Sequence, residues 1–108
     1  MSNKLAHLMF IGVSALLASA AQGQTAADMC ESLGTTSESI MKKRQEGAPM
    51  SSLMKAIGTI DAPEALQELL RETIIDAYEV PQYSGDSYRA DAVRRFRNEV
   101  ELECYKSL

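Results

Sequence analysis

Asp61-Ala62-Pro63-Glu64-Ala65-Leu66-Gln67-Glu68-Leu69-Leu70-Arg71-Glu72-Thr73-Ile74-Ile75-Asp76-Ala77-Tyr78-Glu79-Val80-Pro81 is the stretch whose reading decides the fold. It opens on a strong helix-start signal, with an acid to cap, a proline for the first turn and a glutamate three residues on. Leu66, Leu69, Leu70, Ile74, Ala77 and Tyr78 then recur at three- and four-residue steps, which is one face of an α-helix. Gln67, Glu68, Arg71, Glu72, Asp76 and Glu79 fall on the other face. Pro81 closes the segment, because the residue before a proline disfavours helical geometry.

The same punctuation repeats in both directions. Upstream, Met50, Leu53, Met54 and Ile57 describe a two-turn amphipathic helix that starts behind Pro49 and stops at Gly58. Further back, Thr25 with Asp28 forms a weak capping box ahead of a helix whose apolar face carries Cys30, Leu33, Ser37, Ile40, Met41 and Arg44. Gly47 supplies its stop. Gly34-Thr35-Thr36 has poor helix propensity, which predicts a bend or break at that point. Downstream, Gln82-Tyr83-Ser84-Gly85-Asp86 reads as a turn. Asp86 or Ser87 can cap a last helix reaching almost to Leu108, with Val93, Phe96, Val100 and Cys104 on its apolar face and Ala92 beside them. No sustained two-residue alternation appears, so the expected fold is all-α, a small bundle of about four helices.

A chain of 108 residues, 45 % apolar, has room for one core. Its first segment reads as an export signal. Lys4 precedes the apolar run Leu8-Met9-Phe10-Ile11-Gly12-Val13-Ser14-Ala15-Leu16-Leu17, and the small residues Ala18-Ser19-Ala20-Ala21 follow. That is a charged n-region, an h-region too short to span a bilayer and an Ala-x-Ala site. Cleavage is expected after Ala20, with Ala21 or Gly23 as alternatives and an uncleaved membrane anchor as the rival reading. Residues 21–108 then form a single helical domain, with 21–25 as a frayed tail. The expected destination is the periplasm, or the medium if the chain is secreted.

Loss of residues 1–20 would take Lys4, the only histidine (His7) and Phe10, leaving fifteen acidic side chains against ten basic ones. A chain without histidine has no His-based triad, no Cys-His dyad and no His-ligated zinc site. An acidic balance also works against nucleic acid, whose affinity rests on neutralising phosphates. No later segment is long and apolar enough for stable membrane insertion. No GxSxG elbow or SxxK accompanies the serines, and no two carboxylates stand out as a catalytic pair. The sequence therefore reads as non-enzymatic, with no cofactor and no metal.

Cys30 and Cys104 remain in the exported chain. An even pair in an oxidising compartment reads first as a disulfide, and each cysteine lies on an apolar helical face, placed to bridge the first helix to the last. The rival, a redox or metal pair, lacks CxxC spacing, and two thiolates do not complete a tetrahedral zinc site.

Three sets of residues are candidates for contact with a partner. Arg89, Arg94 and Arg97, with Arg95, offer guanidinium forks to an anion or acidic surface. Against this, Arg95/Glu99 and Arg97/Glu101 are i, i+4 pairs of the kind found on solvated faces. Tyr83 and Tyr88, with Tyr78 and Tyr105, suit the rim of a core or an interface equally. Met29, Met41, Met50 and Met54 would fill a core, line an adaptable groove or, less in keeping with the absence of histidine, bind Cu(I).

Ile40-Met41-Lys42-Lys43-Arg44-Gln45-Glu46-Gly47-Ala48-Pro49-Met50-Ser51, Ile74-Ile75-Asp76-Ala77-Tyr78-Glu79-Val80-Pro81, Phe96 and Cys104 resemble a group of small exported, two-cysteine helical proteins of proteobacteria and their phages. The shared marks are a signal peptide, Arg-Gln-x-Gly after the first helix, Ala-Tyr-x-x-Pro at the end of the third, and a cysteine near each end. The group has no assigned activity, so the resemblance implies a bacterial periplasm and a phage or prophage origin, and it assigns no residue a role. The functional expectation is a periplasmic binding or accessory protein, for example an inhibitor or immunity-type protein docking on an envelope protein. The alternative is an acid- or envelope-stress chaperone, which would loosen as its paired carboxylates protonate.

Overall fold

The computed structural model describes residues 25–108. They form four helices, α1 (Ala26–Gln45), α2 (Met50–Thr59), α3 (Glu64–Glu79) and α4 (Asp86–Lys106), with no strand among the described residues. The expected export signal and its cleavage point lie outside this range. Of the expected frayed tail only Thr25 is described, and it is tied down. Its hydroxyl accepts from Asp28 N–H at 3.1 Å while its own N–H donates to the Asp28 carboxylate at 3.2 Å. This reciprocal capping box satisfies two otherwise orphaned donors at the start of α1.

Helix α1 is the central element. It pairs extensively with α4 on one side and with α3 on another, while α2 packs on α3. α1 and α4 run antiparallel, since Cys30 joins Cys104, Gly34 meets Glu101 and Glu38 meets Arg97. The Cys30–Cys104 disulfide, with Cα atoms 5.5 Å apart, fastens the first helix to the last as expected. α1 runs unbroken through Gly34, where a bend was expected. The missing Cβ there admits the partner helix, because a Cβ would fall 2.6 Å from Glu101 Cγ and 2.8 Å from its Cδ.

The core is thin. Ile40 and Met41 from α1, Ile74 and Ala77 from α3, and Ala92 and Phe96 from α4 are buried, with Leu53, Met54 and Ile57 of α2 laid against them. Met41 is the only one of the four candidate methionines that is fully buried. Met54 is half-buried, and Met29 and Met50 are exposed, so the four do not form one set. Cys30, Ser37, Ile40 and Met41 of α1 and Leu70, Ile74 and Ala77 of α3 are buried as the sequence reads, and the stripes differ from that reading only at their edges. Gly34 and Gln45 are buried in α1 where Leu33 and Arg44 are half-buried, and Thr73 is buried in α3 while Leu66 and Leu69 are half exposed.

Helix starts differ from expectation where another group does the capping. α3 begins at Glu64 with Pro63 as its N-cap, two residues past Asp61. Pro63 C=O accepts from Leu66 and Gln67 N–H, both at 3.0 Å. The Gln67 side chain reaches back to the carbonyls of Ile60 (3.1 Å) and Ala62 (3.4 Å), which ties the α2–α3 loop without Asp61. α4 likewise starts from Gly85, with no side-chain cap from Asp86 or Ser87. α2 runs through Gly58 to Thr59.

Arg44-Gln45-Glu46-Gly47 and Ala77-Tyr78-Glu79-Val80-Pro81, separate marks in the sequence, are docked on one another. Arg44 Nε donates to Val80 C=O at 3.0 Å, and its guanidinium lies 5.1 Å from the Tyr78 ring centroid. Gln45, 2 % exposed, donates from Nε2 to Pro81 C=O and accepts at Oε1 from Tyr83 N–H, both at 2.9 Å. Tyr78 donates its hydroxyl to Ala48 C=O, and Gln82 Nε2 donates to Gln45 C=O at 3.2 Å. Gly47 turns the chain out of α1 with φ of 87°, a conformation L side chains avoid. These contacts fix the end of α3, and with it the separation of α3 from α4.

Candidate functional site

The candidate contact residues are divided between two faces. Arg89, Arg94 and Arg97 line a groove of about 540 Å³ between α1 and the first half of α4, opposite Glu38, Lys42 and Glu46. Their charges are largely spent within the molecule. Arg97 is held between Glu38 (2.8 Å) on α1 and Glu101 (2.9 Å) on its own helix. Glu38 also pairs with Lys42 at 3.2 Å. The hydrogen bond from Arg97, followed by that from Lys42, holds the Glu38 carboxyl below its ordinary value, and Glu38 and Glu101 in turn raise the Arg97 pKa. Arg97 thus clamps α4 to α1 while making the expected i, i+4 pair with Glu101.

Arg94 and Arg95 both pair with Asp91, Arg95 at 2.9 Å. The expected Arg95–Glu99 pair does not form. An acid four residues N-terminal to its base is the favoured order on a helix, and Asp91 occupies that position. Arg89 donates from Nε to Tyr83 C=O at 2.8 Å and sits 3.9 Å from Asp86. This groove is thus lined by four bases and two acids, and its bases are paired within the molecule.

Tyr83 and Tyr88 lie on a different face, between α3 and α4, with ring centroids 6.5 Å apart. Tyr88 is 68 % exposed. They line a hollow of about 490 Å³ with Pro81, Asp91, Ala92 and Arg95. Through Glu79, Val80, Phe96 and Glu99 it runs on into a larger groove of about 660 Å³ toward the C-terminal end of α4. Both α3 and α4 pack on α1 without an extensive pairing between themselves, which leaves this groove open.

The larger groove has an apolar floor and acidic walls. Leu33, Phe96, Val100 and Cys104 lie along it, with Leu69 (41 % exposed) at the α3 lip and Leu102 (56 % exposed) at the α4 lip. Glu72, Asp76 and Glu79 stand on the α3 side, and Glu99 and Glu103 on the α4 side; no lysine or arginine lines it. Among the described residues only Glu103 of these five forms an ion pair, with Lys106 at 3.3 Å. No three carboxylates among the described residues come together in a way that would hold a metal ion.

The sequence reading placed these acids on a solvated face and so missed the groove. The available signal was Glu72, Asp76 and Glu79 at four- and three-residue steps with no base three or four residues from any of them, and Glu99 and Glu103 four apart on α4. Among the described residues no helix is long and apolar enough to cross a membrane. No family model, curated protein or solved structure matches this chain.

Proposed function

We propose that this chain is a non-enzymatic binding protein of the bacterial envelope, working in the periplasm, that docks on another protein through the groove between α3 and α4. An inhibitor or immunity-type role is one form of this reading. The observation that carries it is the groove, where half-exposed leucines and a tyrosine pair share one surface with five carboxylates, of which only Glu103 is ion-paired among the described residues. Exposed apolar side chains bounded by charge are what an interface presents before its partner arrives. The periplasmic part of the reading is supported by the signal-like N-terminal sequence, by the disulfide and by the resemblance to exported two-cysteine proteins.

The test is capture from an envelope extract at neutral pH by the oxidised protein, expressed from its full sequence, with increasing bait. One dominant partner whose recovery saturates is the expected result. Recovery of many unrelated proteins, coupled with suppression of client aggregation at low pH, would overturn it in favour of the stress-chaperone reading. Turnover of a substrate that a single Asp or Glu substitution abolishes would overturn the non-enzymatic assignment.

A further inference from the structure

We infer that the segment received by the α3–α4 groove is a cationic amphipathic helix, with an apolar stripe flanked on both sides by Lys or Arg. This rests on the docking reading above and specifies its partner.

Charge decides the class of occupant. Glu72 and Asp76 on one wall face Glu99 and Glu103 on the other, and no base of this chain lines the space between them. A polyanion or an anionic lipid surface would be repelled at that site. A small cation does not suit it either, since the carboxylates are spread along two walls and not gathered around one point. The floor is apolar and the lips carry Leu69 and Leu102, so the occupant needs an apolar face as well as charge.

Backbone chemistry decides its conformation. Both walls are α-helices whose main-chain groups are bonded within the helix, so an extended peptide would find no row of donors and acceptors to pair with. A helix satisfies its own backbone and can lay a side-chain stripe between two others at ordinary helix-packing distances. The length also fits. From Phe96 to Ser107 the α4 wall runs for roughly 16 Å at 1.5 Å per residue, about three turns, and to Tyr88 for roughly 28 Å, about five. Acids on both walls from Phe96 to Ser107 require cations on both flanks of the stripe there. The Tyr83–Tyr88 end, where this chain's own Arg95 lies beside Asp91, offers aromatic faces to apolar side chains of the occupant.

The probe is a synthetic helix of about 18 residues with leucines at i, i+3, i+4 and i+7 and lysines elsewhere. Two controls accompany it, one with Glu for every Lys and one with Ser for every Leu. Binding to the oxidised protein is followed by calorimetry and by amide chemical shifts. The Leu/Lys probe is expected to bind with one-to-one stoichiometry, with shifts centred on Leu69, Phe96, Val100 and Leu102. Glu72→Lys with Asp76→Lys should weaken it about tenfold or more, whereas Glu31→Lys with Asp61→Lys, the same charge change outside the groove, should weaken it less than threefold. Equal loss in both pairs, equal binding of the Ser/Lys control, self-association through the groove, or shifts centred on the Arg89–Arg94 face would each overturn the inference. If the probe fails while an envelope protein is captured, the helix inference falls and the docking function stands. If the probe binds in the groove and no partner is captured, the proposed function falls and the chemical specificity of the groove stands.

Discussion

Replacing Gln45 by alanine should destabilise this protein more than any other single polar truncation in α1. The side chain is 2 % exposed and makes two good hydrogen bonds to a different segment, to Pro81 C=O and from Tyr83 N–H, each at 2.9 Å. Each is worth about 1 kcal/mol net, and stranding a partly buried carbonyl and N–H adds about as much again. The gain in helix propensity from Gln to Ala returns only a few tenths of a kcal/mol. The net loss is about 3 kcal/mol, a large share of the ~5–15 kcal/mol that domains usually have. For a chain of this size that corresponds to a fall in Tm of about 15 °C.

Urea unfolding of the oxidised protein, followed by circular dichroism, reads the loss directly. Gln45→Met keeps the volume but makes neither bond, so if the bonds carry the loss it should cost about as much as Gln45→Ala, about 3 kcal/mol. Gln45→Glu retains an acceptor for Tyr83 N–H but turns a carboxylate toward Pro81 C=O. Its penalty should ease as pH falls and the carboxyl becomes a donor. Values within about 0.5 kcal/mol of wild type for both Gln45→Ala and Gln45→Met would refute the reasoning.

Opening the disulfide, by Cys30→Ser with Cys104→Ser, releases a loop spanning 74 residues and should cost about 4 kcal/mol of stability, read as a lower urea midpoint. Gly34→Ala should destabilise although it improves helix propensity by about 1 kcal/mol, because the new Cβ overlaps Glu101 from Cγ outward and overpacks the α1–α4 contact by about 1–3 kcal/mol. In a Glu101→Ala background the same change should become stabilising, which a double-mutant cycle in urea would show. Glu38 has its folded pKa below the ordinary 4.5, so its contribution is present above that value and is lost as pH falls through the lowered one. Glu38→Gln should therefore lower stability at neutral pH and flatten the acid limb of the stability–pH curve. Tyr78 runs the other way. Burial raises its pKa above the ordinary 10.0, so the stability it contributes holds below that value and falls as pH rises through the raised one, and Tyr78→Phe should remove this alkaline loss.

Helix existence was legible because the four described helices are bounded by residues with a backbone reason to stop or start, such as Gly47, Pro49, Pro81 and Gly85. The disulfide was legible because both cysteines sit on apolar stripes of the first and last helices. The edges of the stripes were less so. Periodicity says that α3 has an apolar side but not which neighbour covers each edge of it, so Leu69 read as core when it forms the lip of a groove. Gln45 was read only as part of a helix end, since its partners lie 36 and 38 residues away and no local pattern reports them. The acidic walls depend on the same long-range fact. Glu72 and Glu99 face a common space only because α1 takes α3 and α4 on different sides and the Gln45–Pro81 contacts hold the end of α3 in place. Arg97 illustrates the converse, a residue whose local pair with Glu101 was readable while its second partner, Glu38 on α1, was not.

The central claim is that the α3–α4 groove is the working surface. Placing a photo-crosslinking amino acid singly at Leu102, on the α4 lip, at Arg94, on the arginine-bearing face, and at Lys55, on exposed α2, tests it in intact cells. A single discrete adduct from Leu102, absent from Lys55 and Arg94, is the predicted result. Equal adducts from all three positions, or a discrete adduct from Arg94 or Lys55 with none from Leu102, would contradict it.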